Sequence, residues 1–162
     1  MRRIDKIILH CTATARDVDV ATVRRWHMDK PPKGRGWRDV GYHFLIRTDG
    51  TIEHGRPIDQ IGAHVKGQNK SSIGIAYAGG LDVDGTPRDT RTDEQTAAMV
   101  MLSMALMVAI PTIRTVHGHN EFANKACPCF DVTDEFWHIN NEPWRDLGIH
   151  EALLTAEKTL AF

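Results

Sequence analysis

Three residues far apart in the chain have the types and placing for hydrolytic metal chemistry. His10 closes the apolar run Lys6-Ile-Ile-Leu-His10, and His119 and Cys127 sit eight residues apart in His119-Asn-Glu-Phe-Ala-Asn-Lys-Ala-Cys-Pro128. Three nitrogen or sulfur donors leave one tetrahedral position of a zinc ion open for water, whereas a structural zinc is normally closed by four protein ligands. Two nearby residues offer a rival arrangement. His117 lies two before His119, and Cys129 two after Cys127. If His117–His119 continued a strand, both imidazoles would face one side, and His-x-His with Cys-x-Cys would make a closed structural site. Cys11 directly follows His10; in an extended segment it faces the other way and reads as a small buried apolar residue. Any one of the nine histidines, taken alone, is more ordinarily a surface or hydrogen-bonded imidazole than a ligand.

At 162 residues the chain fits a single domain spanning 1–162. Lys and Arg number 20 against 21 Asp and Glu, a balance that gives no electrostatic reason to propose nucleic acid or an anionic membrane as the main partner. The three cysteines are too few for a disulfide framework and point to a reducing compartment. The basic start, Met1-Arg-Arg-Ile-Asp-Lys6, leads straight into a strand-like run without the apolar region and cleavage site of a secretory signal. Synthesis in the cytoplasm of the producing cell is therefore expected. The longest apolar stretch, 97–110, is interrupted only by Ser103. It falls short of the roughly 20 residues a membrane span needs and reads as a buried core helix rather than a membrane insertion.

The elements that must position the three residues are legible in outline. Strands are expected at 6–9, 42–47, 51–53, 72–77 and, from β-branched content, 113–117. Asp49-Gly50 predicts a hairpin with a two-residue connection joining the second and third. A helix is expected over 20–28, capped by Asp17 or Asp19 and ended by the loop Lys30-Pro-Pro-Lys-Gly-Arg-Gly36. The long core helix is announced by the capping-box pattern Thr92-Asp-Glu-Gln95 and stopped by Pro111. Two short helices near 132–140 and 149–160, separated by Pro143, complete a C-terminal helical segment, 132–162. Strands and helices intermixed with a hairpin imply an α/β domain with a central mixed β-sheet flanked by helices. His10 at a strand end, and His119 and Cys127 on the loop after the last strand, could then meet at one sheet edge.

Seven stretches, in order, carry a resemblance: Ile8-Leu-His-Cys-Thr-Ala-Thr14, Arg24-Arg-Trp-His27, Trp37-Arg-Asp-Val-Gly-Tyr-His-Phe44, Asp49-Gly-Thr-Ile-Glu53, Gly62-Ala-His-Val-Lys-Gly67, Asn69 with Ser72-Ile-Gly-Ile75, and His119 through Asp131. Together they resemble the type 2 N-acetylmuramoyl-L-alanine amidases. The likeness is strongest to the T-seven-type phage lysozymes and more distant to peptidoglycan recognition proteins. It covers a core of about 6–131 and implies the amidase fold.

The resemblance also implies roles. His10, His119 and Cys127 fall on the ligands of one Zn²⁺ per chain, leaving His117 and Cys129 as non-ligands. Tyr42 and Lys125 fall on catalytic positions: a Lys ammonium suits the oxyanion of the tetrahedral intermediate, and a Tyr hydroxyl suits hydrogen bonding or proton shuttling. His64 matches a substrate-contacting cleft position, with orientation of its loop as the alternative, and Trp37 lines the cleft or packs beneath it. His27 and His43 read as structural. Cys129 is a departure, because the family often has a small residue after Cys-Pro. The implied activity is hydrolysis of the lactyl–L-alanine amide of peptidoglycan by a monomeric phage or prophage endolysin that reaches the periplasmic wall after release. The rivals are a cytoplasmic muropeptide-recycling amidase, whose relatives tend to carry Asp at the position of Cys127, and a non-catalytic peptidoglycan receptor, whose relatives usually lose that cysteine. Inhibition of an RNA polymerase is the remaining alternative.

Overall fold

The computed structural model describes residues 2–141. In chain order it contains β1 (Lys6–Cys11), α1 (Val20–Met28), β2 (Phe44–Ile46), β3 (Ile52–His54), β4 (Ser72–Tyr77), α2 (Asp93–Ala109), β5 (Thr115–Gly118), α3 (Val132–Glu135) and α4 (Trp137–Asn141). Single 3₁₀ turns occupy Asn69–Ser71 and His119–Glu121. The strands form one sheet in the order β3-β2-β4-β1-β5. β1 runs parallel to β4 and β5, β2 runs parallel to β4, and only β2–β3 is antiparallel, so the sheet is mixed, as expected.

β1 and β4 lie in the interior of the sheet, which is why they read as near-continuous apolar runs. Their alternate residues serve different neighbours. Ile7, Leu9 and Cys11 of β1 and Ile73, Ile75 and Tyr77 of β4 join Ala98, Met99, Leu106 and Met107 of α2 in the main core. A smaller cluster forms from Leu45 and Ala76 of the sheet with Val18 and Val23 of the α1 region.

Caps fix the helices. Asp19, rather than Asp17, accepts the Thr22 N–H at 2.7 Å; Asp17 is engaged by Arg47. In α2, Thr92 Oγ1 accepts the Gln95 N–H at 3.0 Å and Gln95 Oε1 accepts the Thr92 N–H at 3.1 Å. The same fully buried Gln95 donates from Nε2 to the carbonyls of Ile46 and Ala78 at 3.1 and 3.0 Å, tying the helix start to β2 and the residue after β4. No helix among the described residues is long and apolar enough to cross a membrane.

Three local expectations change. The β2–β3 connection is longer than two residues: Gly50 N–H donates to the Arg47 carbonyl and Arg47 N–H to the Thr51 carbonyl, both at 2.9 Å. Only Gly50 has positive φ, +82°, the pattern of a turn closed by a glycine bulge. Tyr42 lies before β2 rather than in it, because its carbonyl takes the Arg56 N–H at 2.9 Å, a bond to the loop after β3. The helix expected over 132–140 is broken at the fully buried Phe136 into α3 and α4. That break brings Asn140 against β5: its Oδ1 accepts the Val116 N–H at 2.8 Å and its Nδ2 donates to the Val116 carbonyl at 3.0 Å. The helix expected over 149–160 lies outside the described residues.

Candidate active site

His10 comes from the middle of the sheet and is 1% exposed. Its Nδ1 lies 3.2 Å from His119 Nδ1 and 3.7 Å from Cys127 Sγ. His119 reaches it because β5 ends at Gly118 and the chain turns into a 3₁₀ helix there. His117 and His119 therefore do not share a strand face. His117 is engaged elsewhere, with Nδ1 2.7 Å from Glu121 Oε2 and Nε2 2.9 Å from Thr115 Oγ1. Cys129 Sγ lies 3.3 Å from the Gly80 carbonyl and 3.8 Å from Cys11 Sγ. Among the described residues, His10, His119 and Cys127 form the group positioned to bind a metal ion, with ligand atoms within 4.8 Å of one another.

The electrostatics favour the ligating forms. Burial holds His10 well below the ordinary imidazole value, with the charges of His64, His119 and Lys125 adding to it. Burial and then Lys125 lower His119. Cys127 is lowered first by its hydrogen bond from the Cys11 side chain, against the opposing effect of burial, with the Cys11 N–H at 3.3 Å helping. Cys11 is raised in return. Metal ligation needs neutral imidazoles and a thiolate.

A cleft of about 490 Å³ opens beside this group, and Tyr42, His64, Trp37, Lys125, His119 and His27 all line it. The half-buried Tyr42 has its ring centre 5.2 Å from that of His10. Burial, then the charge at Cys127, pushes its phenol well above the usual value, so it remains a donor. Lys125 is exposed, on the loop between His119 and Cys127. Trp37 packs on His27 at 4.8 Å between ring centres, with the Arg35 guanidinium 5.3 Å from the indole. His64 lines the cleft but is 9% exposed, and its Nδ1 lies 3.0 Å from His10 Nε2.

The sequence reads His27 as structural. Its Nδ1 does accept the Gly41 N–H at 3.0 Å, yet the ring also lines the cleft. Burial, then Arg35 and Arg56, pushes it down to about 4, so near neutral pH it keeps one proton, on Nε2. Its place in Arg24-Arg-Trp-His27 was the available signal. His43 is structural: its Nδ1 accepts the Gly74 N–H at 2.9 Å and its Nε2 lies 3.1 Å from the Gln60 carbonyl.

Comparison with known proteins agrees with this architecture. A family model described as N-acetylmuramoyl-L-alanine amidase matches residues 1–130. The endolysin of Klebsiella phage KP32 is 42% identical over 145 residues, 88% of this chain and 91% of that one. The endolysin of Escherichia phage T7 is 38% identical over 146 residues, 89% and 92% of the two chains. Among solved structures, the N-acetylmuramoyl-L-alanine amidase LysC from Clostridium intestinale URNW aligns with a TM-score of 0.67 at 28% identity, covering 91% of this chain and 85% of that one. Peptidoglycan-recognition proteins of Drosophila match at lower identity.

Proposed function

The chain belongs to the N-acetylmuramoyl-L-alanine amidase family and is an enzyme of that kind, and from that premise we propose that it is a zinc-dependent endolysin. Its reaction is hydrolysis of the amide between the lactyl group of N-acetylmuramic acid and L-alanine in peptidoglycan. The observation that carries the reading is the meeting of His10, His119 and Cys127. Tetrahedral bonding at Zn–N of about 2.05 Å and Zn–S of about 2.3 Å separates nitrogens by about 3.3 Å and nitrogen from sulfur by about 3.6 Å. The observed 3.2 and 3.7 Å from His10 match these separations, and with the third pair within 4.8 Å they support one ion held by three ligands. Bound there, zinc supplies Lewis acidity and brings the pKa of a water toward about 7.

The chain's own groups do the rest. Lys125, exposed at the rim of the cleft, places an ammonium for the oxyanion that develops on the scissile carbonyl. Tyr42 presents a phenol that stays protonated and donates to the reacting oxygen or passes a proton to the leaving amine. Trp37 gives the stem peptide an apolar wall. The cysteine ligand speaks against a receptor-only role and against the recycling amidases that use aspartate there. A single chain carries the whole site, consistent with a monomer made in the cytoplasm that meets the periplasmic wall after release.

Zinc-loaded protein incubated with purified sacculi should release new L-alanine amino termini, and do so faster than from soluble anhydro-muropeptides. No new L-alanine termini, under conditions where a known amidase produces them, would sink the assignment.

A further inference from the structure

We propose that His64, Ser72 and the Gln68 carbonyl form a hydrogen-bonded relay that fixes His10 in the tautomer protonated at Nε2, so that its Nδ1 lone pair faces the metal. The proposal rests on the metal-dependent reading only for what that lone pair meets. The proton positions follow from the one end of the chain that is unambiguous. A backbone carbonyl only accepts, so Ser72 Oγ, 2.9 Å from the Gln68 oxygen, donates its proton there. The serine oxygen then accepts from His64 Nε2 at 3.3 Å. A neutral imidazole carries one N–H. His64 Nδ1 is therefore an acceptor and takes the Nε2–H of His10 at 3.0 Å. His10 is left bare at Nδ1, the atom that lies 3.2 Å from His119 Nδ1 and 3.7 Å from Cys127 Sγ. The opposite assignment would set the Ser72 and Gln68 oxygens 2.9 Å apart with no proton between them, lone pair against lone pair.

The backbone is shaped around His64. A Cβ placed on Gly62 or Gly74 would come within 2.7 Å of its ring. No side chain larger than hydrogen fits at either position without displacing the imidazole. Asn69 Oδ1 accepts the N–H groups of both His64 and Val65, at 2.8 and 2.9 Å, and so holds the loop that delivers the ring. The stretches Gly62-Ala-His64, Asn69 and Ser72-Ile-Gly74 thus form one device. His64 is a positioning residue, acting on His10 from behind and offering little surface to substrate. Partners that orient a ligating imidazole in this way tune metal affinity about 10- to 100-fold.

Two measurements on the full chain test the relay. Imidazole ¹⁵N shifts of the metal-free protein should show His10 protonated at Nε2 and bare at Nδ1, with the preference lost in Ser72→Ala. Zinc affinity, measured by competition with a chromophoric chelator, should fall about 10- to 100-fold in His64→Leu and also fall in Ser72→Ala. His64→Gln should stay near wild type, because its amide oxygen can accept from His10 and its NH₂ can donate to Ser72. If His64→Leu does not fold, Ser72→Ala, which removes a single hydroxyl, carries the affinity comparison. The relay is wrong if wild-type His10 carries its proton on Nδ1, or if folded His64→Leu binds zinc as wild type does. A protein with the expected tautomer and affinity but no hydrolysis would instead overturn the amidase reading, and the relay would stand.

Discussion

The two faces of the central strands have opposite characters. Toward α2, β1 and β4 present Ile7, Leu9, Cys11, Ile73, Ile75 and Tyr77, all buried in one apolar core. Their alternate residues are Lys6, Ile8, His10, Ser72, Gly74 and Ala76: a mixed set with polar groups among them, in which Gly74 leaves room for the His64 imidazole. A period of two lets one strand serve both purposes. Burial fixes the sheet on the core face, while on the other face hydrogen bonds run through Ser72 and His64 to His10, beside the smaller apolar cluster that holds Ala76. Substitution on one face should therefore be read in stability, and on the other in metal binding and turnover.

Changes at the site break this contrast most severely. Cys127→Ser should lose both metal and activity while its circular dichroism and melting stay close to those of the metal-free wild type. Lys125→Ala should keep its metal, measured by elemental analysis, but lose about 10²- to 10³-fold in kcat, the usual consequence of removing one oxyanion donor. On the core face, Leu9 is fully buried, and Leu9→Ala should lower unfolding free energy by about 3 kcal/mol in denaturant titration. The molecules that remain folded should keep their zinc affinity; a matching loss of affinity would mean the two faces are not separable.

His43 sharpens the same point through pH. Burial, with Arg2 and Arg56 adding to it, pushes it down to about 4 from 6.5. The unfolded chain takes up this proton near pH 6.5 and the folded chain only near pH 4, so the stability tied to neutral His43 is complete above about pH 6.5. It drains away as pH falls toward 4, by about 3 kcal/mol in all. The stability difference between wild type and His43→Gln should shrink across that window; a constant difference would contradict the assignment. The smallest effect belongs to the core face. Ser103 Oγ is buried with no hydrogen-bond partner among the described residues. Ser103→Ala should stabilise the protein by roughly 1 kcal/mol without altering turnover.

What could be read from the sequence follows the range of the interactions. α1 runs from Val20 to Met28, as its periodicity and an aspartate cap predict, and the capping box of α2 lies where Thr92 and Gln95 place it. Both are decided within a few residues. The β2–β3 turn and the place of Tyr42 were misjudged because each depends on a bond outside the local pattern, Arg47 to Thr51 in one case and Tyr42 to Arg56 in the other. The sheet order was out of reach: β1 lies between β4 and β5, which are over 60 and 100 positions away in register. The residues of the site were all visible as motif members. The resemblance chose His119 and Cys127 over His117 and Cys129, and the end of β5 at Gly118 gives that choice a geometric reason. The contact of His64 with His10 spans 54 positions, and no local rule predicts it.

Asn140 has a consequence for crowding. Its side-chain amide offers Val116 one acceptor and one donor, as the next strand's peptide group would. The outer edge of β5 is thereby closed at its centre by an imitation of a strand, and the opposite edge, β3, is only three residues long. Among the described residues neither border of the sheet therefore offers a second copy a long open ladder to extend, and edge-to-edge pairing is blunted at the borders themselves rather than by net charge.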